Sequence, residues 1–326
     1  MLTDQFGRTH NYLRISLTDN CNLRCFYCMP EENYDFTPHS KLMQADEIDT
    51  IAKLFVQQGV NKIRLTGGEP FVRKDASKII QNLGQLPVQL NCTTNGIRID
   101  DMLPEIINSD FHSINISLDT LQKEKFQKIT RRNYFDRVLK NINLLLENNI
   151  KTKINVVMMK GINDDEIFDF IEFTKEHPVE IRFIEFMPFS GNRWSSNQVM
   201  TQKEILDIIK EKYDFIPLPI GIHDTAKGFS VPNHKGSFAI ISTMSEPFCS
   251  GCNRIRLTAD GKLKNCLFSK QETDLLTPLR NGQDILPIIQ STIWAKAKTQ
   301  GGQLDKQFEK INASIIENRS MINIGG

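Results

Sequence analysis

Six short apolar segments punctuate the first half of the chain: Tyr12 to Leu17, Lys62 to Leu65, Val88 to Cys92, Ser113 to Leu118, Lys153 to Met158 and Glu180 to Phe186. They alternate with longer stretches of helical periodicity. Between the fourth and fifth segments, Phe135, Val138, Leu139, Ile142, Leu145 and Leu146 recur at the spacing of an amphipathic helix. Strand followed by helix, six times over, predicts a parallel sheet with helices on its outside, either open or closed into a complete or partial barrel.

Side-chain alternation favours the barrel. Read at period two, the segments place polar groups on one face: Arg14 and Ser16, Arg64 and Thr66, Asn91 and Thr93, Asn115 and Ser117, Lys153 and Asn155, then Arg182. The alternate positions are mostly Leu, Ile, Val or Cys. An apolar outer face under helices and a polar inner face describe a barrel whose lumen is a binding cavity rather than a filled core. A cation facing inward loses its hydration unless an anion compensates it. Any one of Arg14, Arg64, Lys153 and Arg182 could as readily sit at a strand end or pair with Glu180 or Glu185. All four together point to an anionic ligand.

After Met187 the pattern changes to a loop with Gly191 and Trp194, a helix from Gln202 to Lys212, and short strands bearing Pro and Gly. The expected fold is therefore α/β: a partial (β/α)6 barrel over residues 1–190 and a smaller α+β region over 191–326. Lys plus Arg number 40 against 39 acidic residues. Such a balance provides no general field for nucleic acid or an anionic membrane, so any polyanion must be held locally. No eighteen apolar residues run together and the first residues lack a basic, then apolar, leader. The expectation is a soluble, cytoplasmic protein.

Six of the seven cysteines fall in two tight triplets, which suits metal thiolates better than disulfides. The first, Cys21, Cys25 and Cys28, lies in one loop directly after the first strand. Three thiolates can hold three irons of a four-iron cluster and leave the fourth open to a small molecule. A zinc site completed by His10 or His39 is the plainer alternative. Gly67-Gly68-Glu69-Pro70 follows the second strand as a turn that allows close backbone approach.

This CxxxCxxC loop after the first strand of a β/α barrel, with Tyr27 before its last cysteine, resembles the radical S-adenosylmethionine (SAM) superfamily. The resemblance implies that SAM chelates the open iron and is cleaved to a 5′-deoxyadenosyl radical. It further implies SAM contacts at Tyr27, Gly68, Ser117 and Met187.

The second triplet, Cys249, Cys252 and Cys266, brackets Arg254-Ile255-Arg256. Taken alone it could be a zinc ribbon completed by His223 or His234. In a strand, Arg254 and Arg256 project from one face and can grip phosphate oxygens. The arrangement Cx2Cx13C with Arg-x-Arg, together with Lys160 to Asn163, Arg182 to Pro188 and the terminal Gly325-Gly326, resembles the GTP 3′,8-cyclases of molybdenum cofactor biosynthesis. That resemblance implies two four-iron clusters and GTP contacts at Arg14, Arg64, Thr93, Lys153, Arg254, Ile255 and Arg256. It also implies a second cluster whose open iron binds the guanine base. By the same resemblance the catalytic set is Cys21, Cys25, Cys28, Arg254 and Arg256, the tail reaches into the active site, and the chain is a homodimer. An external electron donor and a downstream enzyme that makes the cyclic pyranopterin are its expected partners.

Two other readings stay open on the residues: a peptide-modifying radical SAM enzyme with an auxiliary cluster, and a zinc-stabilised binding protein without turnover. Cys92, alone within the third strand, reads as a small buried hydrophobe.

Overall fold

The structure, a computed structural model, describes residues 1–31, 33–304 and 307–325. Gly326, half of the terminal glycine pair, lies outside the described residues. Among these residues twelve strands form one sheet: β1 Tyr12–Ser16, β2 Lys62–Thr66, β3 Gln89–Thr94, β4 Ser113–Ser117, β5 Thr152–Met158, β6 Glu180–Glu185, β7 Ile216–Pro217, β8 Lys227–Ser230, β9 Ser237–Ile241, β10 Arg254–Leu257, β11 Lys262–Lys264 and β12 Thr273–Asp274. The helices are α1 Ala45–Gln57, α2 Ala76–Gly84, α3 Ile99–Asn108, α4 Lys123–Thr130, α5 Phe135–Glu147, α6 Ile167–Glu176, α7 Gln202–Lys210, α8 Leu276–Arg280, α9 Leu286–Trp294 and α10 Met321–Ile324.

Strands β1 to β6 are parallel and adjacent in sequence order, as short right-handed strand–helix connections require. The parallel array does not stop with them. β10 pairs in parallel with β1, and β9 in parallel with β6, so each edge of the six-stranded unit gains a strand from the second half of the chain. Antiparallel β11 and β12 extend one edge, and β8 and β7 the other. The sheet thus runs without a break across residue 190. Its curvature follows from Arg254 of β10 and Ala239 of β9, which lie at opposite ends of the parallel array yet line one cavity.

The outward side chains Leu13, Ile15, Ile63, Leu65, Leu90, Cys92, Ile114, Ile116, Ile154, Val156, Ile181 and Phe183 are buried in one apolar core beneath the helices. α5 shows why. Its Phe135, Val138, Ile142 and Leu145 form one buried stripe, and such a stripe is stable only against another apolar face. Asn141 lies on the same stripe, fully buried, because its amide donates to the carbonyls of Gly96 and Ile97 at 2.8 and 3.1 Å. It ties the loop after β3 to the helix.

A second apolar cluster closes the C-terminal ends of the strands. Phe186, Phe189, Trp194, Met244, Phe268 and Ile324 pack there with Phe26 and Tyr27 of the cysteine loop. Apolar cover at this end keeps water from whatever the loops hold. α7 ends at Lys210, two residues short of the expected stop, and starts from a capping box between Thr201 and Glu204.

Candidate active site

Beneath that cover lies a cavity of about 510 Å³, within the range of small-molecule sites. Arg14, Arg64, Thr93, Lys153, Arg254 and Arg256 all line it, as does Met187 and the second triplet, Cys249, Cys252 and Cys266. Sequence positions 14 to 266 meet here because every inward residue of a curved parallel sheet faces one axis.

The cavity is strongly cationic. Among the described residues, seven Lys and Arg side chains line it against two carboxylates, Glu180 and Asp224. Lys153 reaches Glu180 at 3.2 Å, and Arg182 pairs with the same carboxylate. For these two residues, pairing with Glu180 is what the structure shows; Glu185 instead accepts from the backbone of Gln202, Met244 and Ser245. One carboxylate cannot neutralise both cations. Burial and the neighbouring Arg182 bring Lys153 down to about 8. Burial and the nearby cations also lower Arg14 to about 10, with Tyr12 opposing. Burial drives Arg256 well below its ordinary value, with Arg14 adding to the effect. Each of these shifts marks charge that an incoming anion would relieve.

Sequence reasoning missed Tyr12 and Lys62. The phenol of Tyr12 accepts from Arg64 Nε at 2.6 Å, and Lys62 Nζ stands 4.8 Å from its ring centre. Burial pushes this phenol up, but Arg64, Arg14 and Lys62 outweigh it and bring it to about 7. The missed signal was the alternation itself, since Tyr12 and Lys62 precede Arg14 and Arg64 by two. Ile255 behaves differently from its flanking arginines. Its side chain is buried in the core on the opposite face of β10, so only its main chain is near the cavity.

Cys21, Cys25, Tyr27 and Cys28 follow β1, Gly68 follows β2 and Ser117 ends β4, so all lie at the C-terminal ends of these parallel strands. The three thiols feel one another, and burial pushes Cys28 up to about 12, Cys21 to about 11 and Cys25 well above its ordinary value. No group of three His, Cys, Asp or Glu among the described residues converges as ligands of one ion would. A four-iron cluster sets a looser requirement, because its corners keep the thiolates further apart than a single ion does. Three half-buried thiols in one loop fit that group; Glu69 acts on Cys21 and Asp119 on Cys25 and Cys28, each adding to the rise that burial gives. Metal binding would replace their protons. His10, considered as a fourth ligand here, lies instead beside the second triplet, 3.4 Å from Lys296. In that triplet burial raises Cys249, whereas at Cys252 the cations Lys296 and Arg254 outweigh burial and lower the thiol.

The glycine pair after β2 has a backbone reason. A Cβ on Gly67 would stand 2.6 Å from the carbonyl of Thr18, and one on Gly68 2.5 Å from that of Asn20. The turn is therefore pressed against the start of the cysteine loop, with Gly68 N–H donating to Thr18 and Glu69 N–H to Asn20. Glu69 completes the brace. Its fully buried carboxylate accepts from Phe71 N, Thr94 Oγ1 and Asn95 N at 3.1, 2.7 and 2.7 Å. Tyr27 is fixed by donating to Asp119 at 2.6 Å. Between the two sites, the buried acceptors Asn115 Oδ1 and Asn155 Oδ1 face the lumen without a hydrogen-bond partner among the described residues. A hydroxyl- or amine-bearing ligand such as SAM would supply the donors.

The barrel and its three-cysteine loop define the radical SAM class, and residues 15–174 match the radical SAM superfamily. Residues 179–301 match the molybdenum cofactor synthesis C family. A GTP 3′,8-cyclase of Clostridium perfringens is 39% identical across the whole of both chains, and a mitochondrial GTP 3′,8-cyclase of Arabidopsis thaliana is 46% identical across all of this chain and 84% of its own. Molybdenum cofactor biosynthesis protein 1 of Drosophila melanogaster is 48% identical over 86% of this chain, which spans about half the length of that relative. The chain belongs to the GTP 3′,8-cyclase family. Its fold also resembles Streptococcus suis SuiB bound to S-adenosylmethionine, with a TM-score of 0.63 at 15% identity over 89% of this chain and 69% of the other.

Proposed function

We propose that this chain converts GTP to (8S)-3′,8-cyclo-7,8-dihydroguanosine 5′-triphosphate, the first step of molybdenum cofactor biosynthesis. The observation that carries the reading is the single cavity in which seven cations and the second cysteine triplet meet. A nucleoside triphosphate has the charge for the first and a base for the second.

Cys21, Cys25 and Cys28 would hold one four-iron cluster, and Cys249, Cys252 and Cys266 the other. When bound, the first cluster and SAM supply a 5′-deoxyadenosyl radical. Tyr27, Gly68, Ser117 and Met187 are assigned to SAM. Arg14, Arg64, Lys153, Arg254 and Arg256 take the triphosphate, Thr93 offers a hydroxyl, and Ile255 contributes main chain alone. These residues act by fixing the ribose relative to SAM, so orientation rather than proton transfer carries the rate. The apolar cover at the strand ends keeps water from the reacting carbon.

An external reductant, a downstream enzyme that forms the cyclic pyranopterin, a homodimeric assembly and a cytoplasmic location complete the proposal. Among the described residues no helix is long and apolar enough to cross a membrane. The barrel domain of residues 1–190 and the region 191–326 remain the proposed division. A peptide-modifying enzyme would have no need of seven cations in the cavity.

The test is anaerobic reconstitution followed by incubation with SAM and reductant, with and without GTP. About eight irons per chain, and GTP-dependent deoxyadenosine with a cyclised nucleotide, are expected. Clusters that form but ignore GTP would overturn the substrate, and a chain that binds only zinc would overturn the enzyme.

A further inference from the structure

Lys296 is 2% exposed, and no carboxylate among the described residues pairs with it. A buried ammonium is costly unless each proton is donated and its charge is compensated. Its three protons have three acceptors: the carbonyl of Arg254 at 2.9 Å, the sulfur of Cys252 at 3.5 Å and Nδ1 of His10 at 3.4 Å. The hydrogen bonding is complete, but of the three only Cys252 can carry a negative charge.

The far side of His10 shows that this arrangement is built. His10 is buried, and its Nε2 meets Asp4 Oδ2 at 3.0 Å. With Nδ1 accepting from Lys296, Nε2 must carry the proton and donate it to Asp4. Asp4 is itself held by Arg8 Nε at 2.6 Å and by the backbone of Phe6 and Arg8. Arg8 then donates to the carbonyl of Cys249 at 2.8 Å and to those of Ala297 and Lys298. The first ten residues therefore clamp both the Cys249–Cys252 turn and the segment carrying Lys296. In the first triplet's loop, Arg24 donates instead to the carbonyls of Cys21 and Leu23.

We infer that Lys296, oriented by the Asp4–His10 pair, is a positioning residue that donates to the Cys252 thiolate of the second cluster and raises that cluster's reduction potential. The inference rests on the reading of the second triplet as a cluster site. Hydrogen bonds to cluster sulfurs and nearby positive charge both favour the reduced, more negative cluster. Two sites built alike, with three cysteines each, would in this way differ in potential, and the open iron at the second would sit in a more cationic setting than that at the first.

The test is an anaerobic redox titration of the full-length protein followed by electron paramagnetic resonance. It is run with Cys21, Cys25 and Cys28 replaced by Ser so that the signal comes from the second cluster. Lys296→Met is expected to shift the midpoint to more negative potential, Lys296→Arg to restore most of it, and His10→Phe to shift it the same way by less. An unchanged midpoint in a Lys296→Met protein of full iron content overturns the inference. If Lys296→Met loses iron, recovery in Lys296→Arg supports the donor role, and loss in both overturns it in favour of packing. A protein with native first-triplet cysteines that holds only one cluster would remove the cluster reading itself, an outcome read from the iron count before any potential is measured.

Discussion

Arg256 donates through Nη1 to the carbonyl oxygen of Gly325, joining β10 to a residue 69 positions further along the chain. The same guanidinium lines the cationic cavity, so the tail occupies a group assigned to the triphosphate. The rest of the tail is anchored near the first triplet: the backbone of Ile322 lies beside Cys28 and helps to offset the rise of its thiol, and Asn323 Oδ1 accepts from Tyr34 at 2.8 Å. One short helix thus touches both proposed sites. Gly325 has φ +85°, and a Cβ there would meet Thr66 Oγ1 at 2.7 Å and Ser16 Cβ at 2.8 Å. Gly325→Ala should therefore displace the tail while leaving both clusters in place. A displacement of about an ångström costs on the order of a hundredfold in rate. Product formation should fall by that order at unchanged iron content; an alanine variant with normal turnover would show that the tail's seat is immaterial.

Arg256 also separates phosphate recognition from base recognition. Its partner in the proposed complex is a phosphate oxygen, and a charge-assisted hydrogen bond of this kind contributes about 1.5–3 kcal/mol. Arg256→Ala should weaken GTP binding by roughly ten- to a hundredfold and guanosine binding much less. Calorimetric titration of both ligands decides it, since equal losses would move the residue to the base or to general folding.

Cys266 lines the cavity and belongs only to the second triplet. Cys266→Ser should keep the first cluster, with slow SAM cleavage in the absence of productive GTP turnover, and should abolish cyclisation. Deoxyadenosine and cyclised nucleotide measured side by side test this. Cyclisation at the parental rate would refute the assignment of the second triplet.

The inward row of cations was legible because a strand's period of two is rigid: once Arg14 and Arg64 face the lumen, their neighbours at even spacing must do so. The two strands that join the barrel's edges were not. β9 and β10 come from a region whose short segments carry no helix-strand alternation, and their parallel pairing with β6 and β1 depends on contacts far apart in sequence. Polar residues that brace loops were equally hidden. Glu69, Asn141 and Asp119 are each fully or nearly buried, yet their value lies in backbone groups of other segments, which no local pattern records. Lys296 is one cation among forty in the sequence, distinguished only by where the chain folds it.

Binding of GTP should depend on pH with a definite sign. Lys153, lowered to about 8, loses its charge as pH rises through that value, and an anion binds the charged form. Tyr12, brought to about 7, gains a negative charge in a lower window and opposes the same anion. Both effects weaken binding as pH rises, first above 7 and then above 8, and neither acts at pH 6. An affinity loss of about tenfold between pH 7 and 9, the equivalent of one unit of coupled pKa, is expected. Tyr12→Phe should remove the earlier part and Lys153→Met the later. Affinity that is flat from pH 6.5 to 9 would mean that these groups do not face the phosphates.

Glu69 tests whether the turn after β2 is a brace or only a spacer. Its two oxygens accept three donors, from Phe71, Thr94 and Asn95, and so bind the turn to the loop after β3. Burial raises its carboxyl to about 7, against the pull of those donors, so the site tolerates the charge at some cost for the sake of the contacts. Glutamine keeps the volume but has one oxygen, and its amide must face at least one donor. An unsatisfied buried donor costs about 1–3 kcal/mol. Glu69→Gln should lower stability by that amount in anaerobic denaturant unfolding at pH 8. It should also weaken SAM binding, because Gly68 and the start of the cysteine loop are pressed together by the same turn. Loss of stability with unchanged SAM affinity would confine Glu69 to the fold. A variant unchanged in both would show that the packing of Gly67 and Gly68 against Thr18 and Asn20 holds the turn by itself.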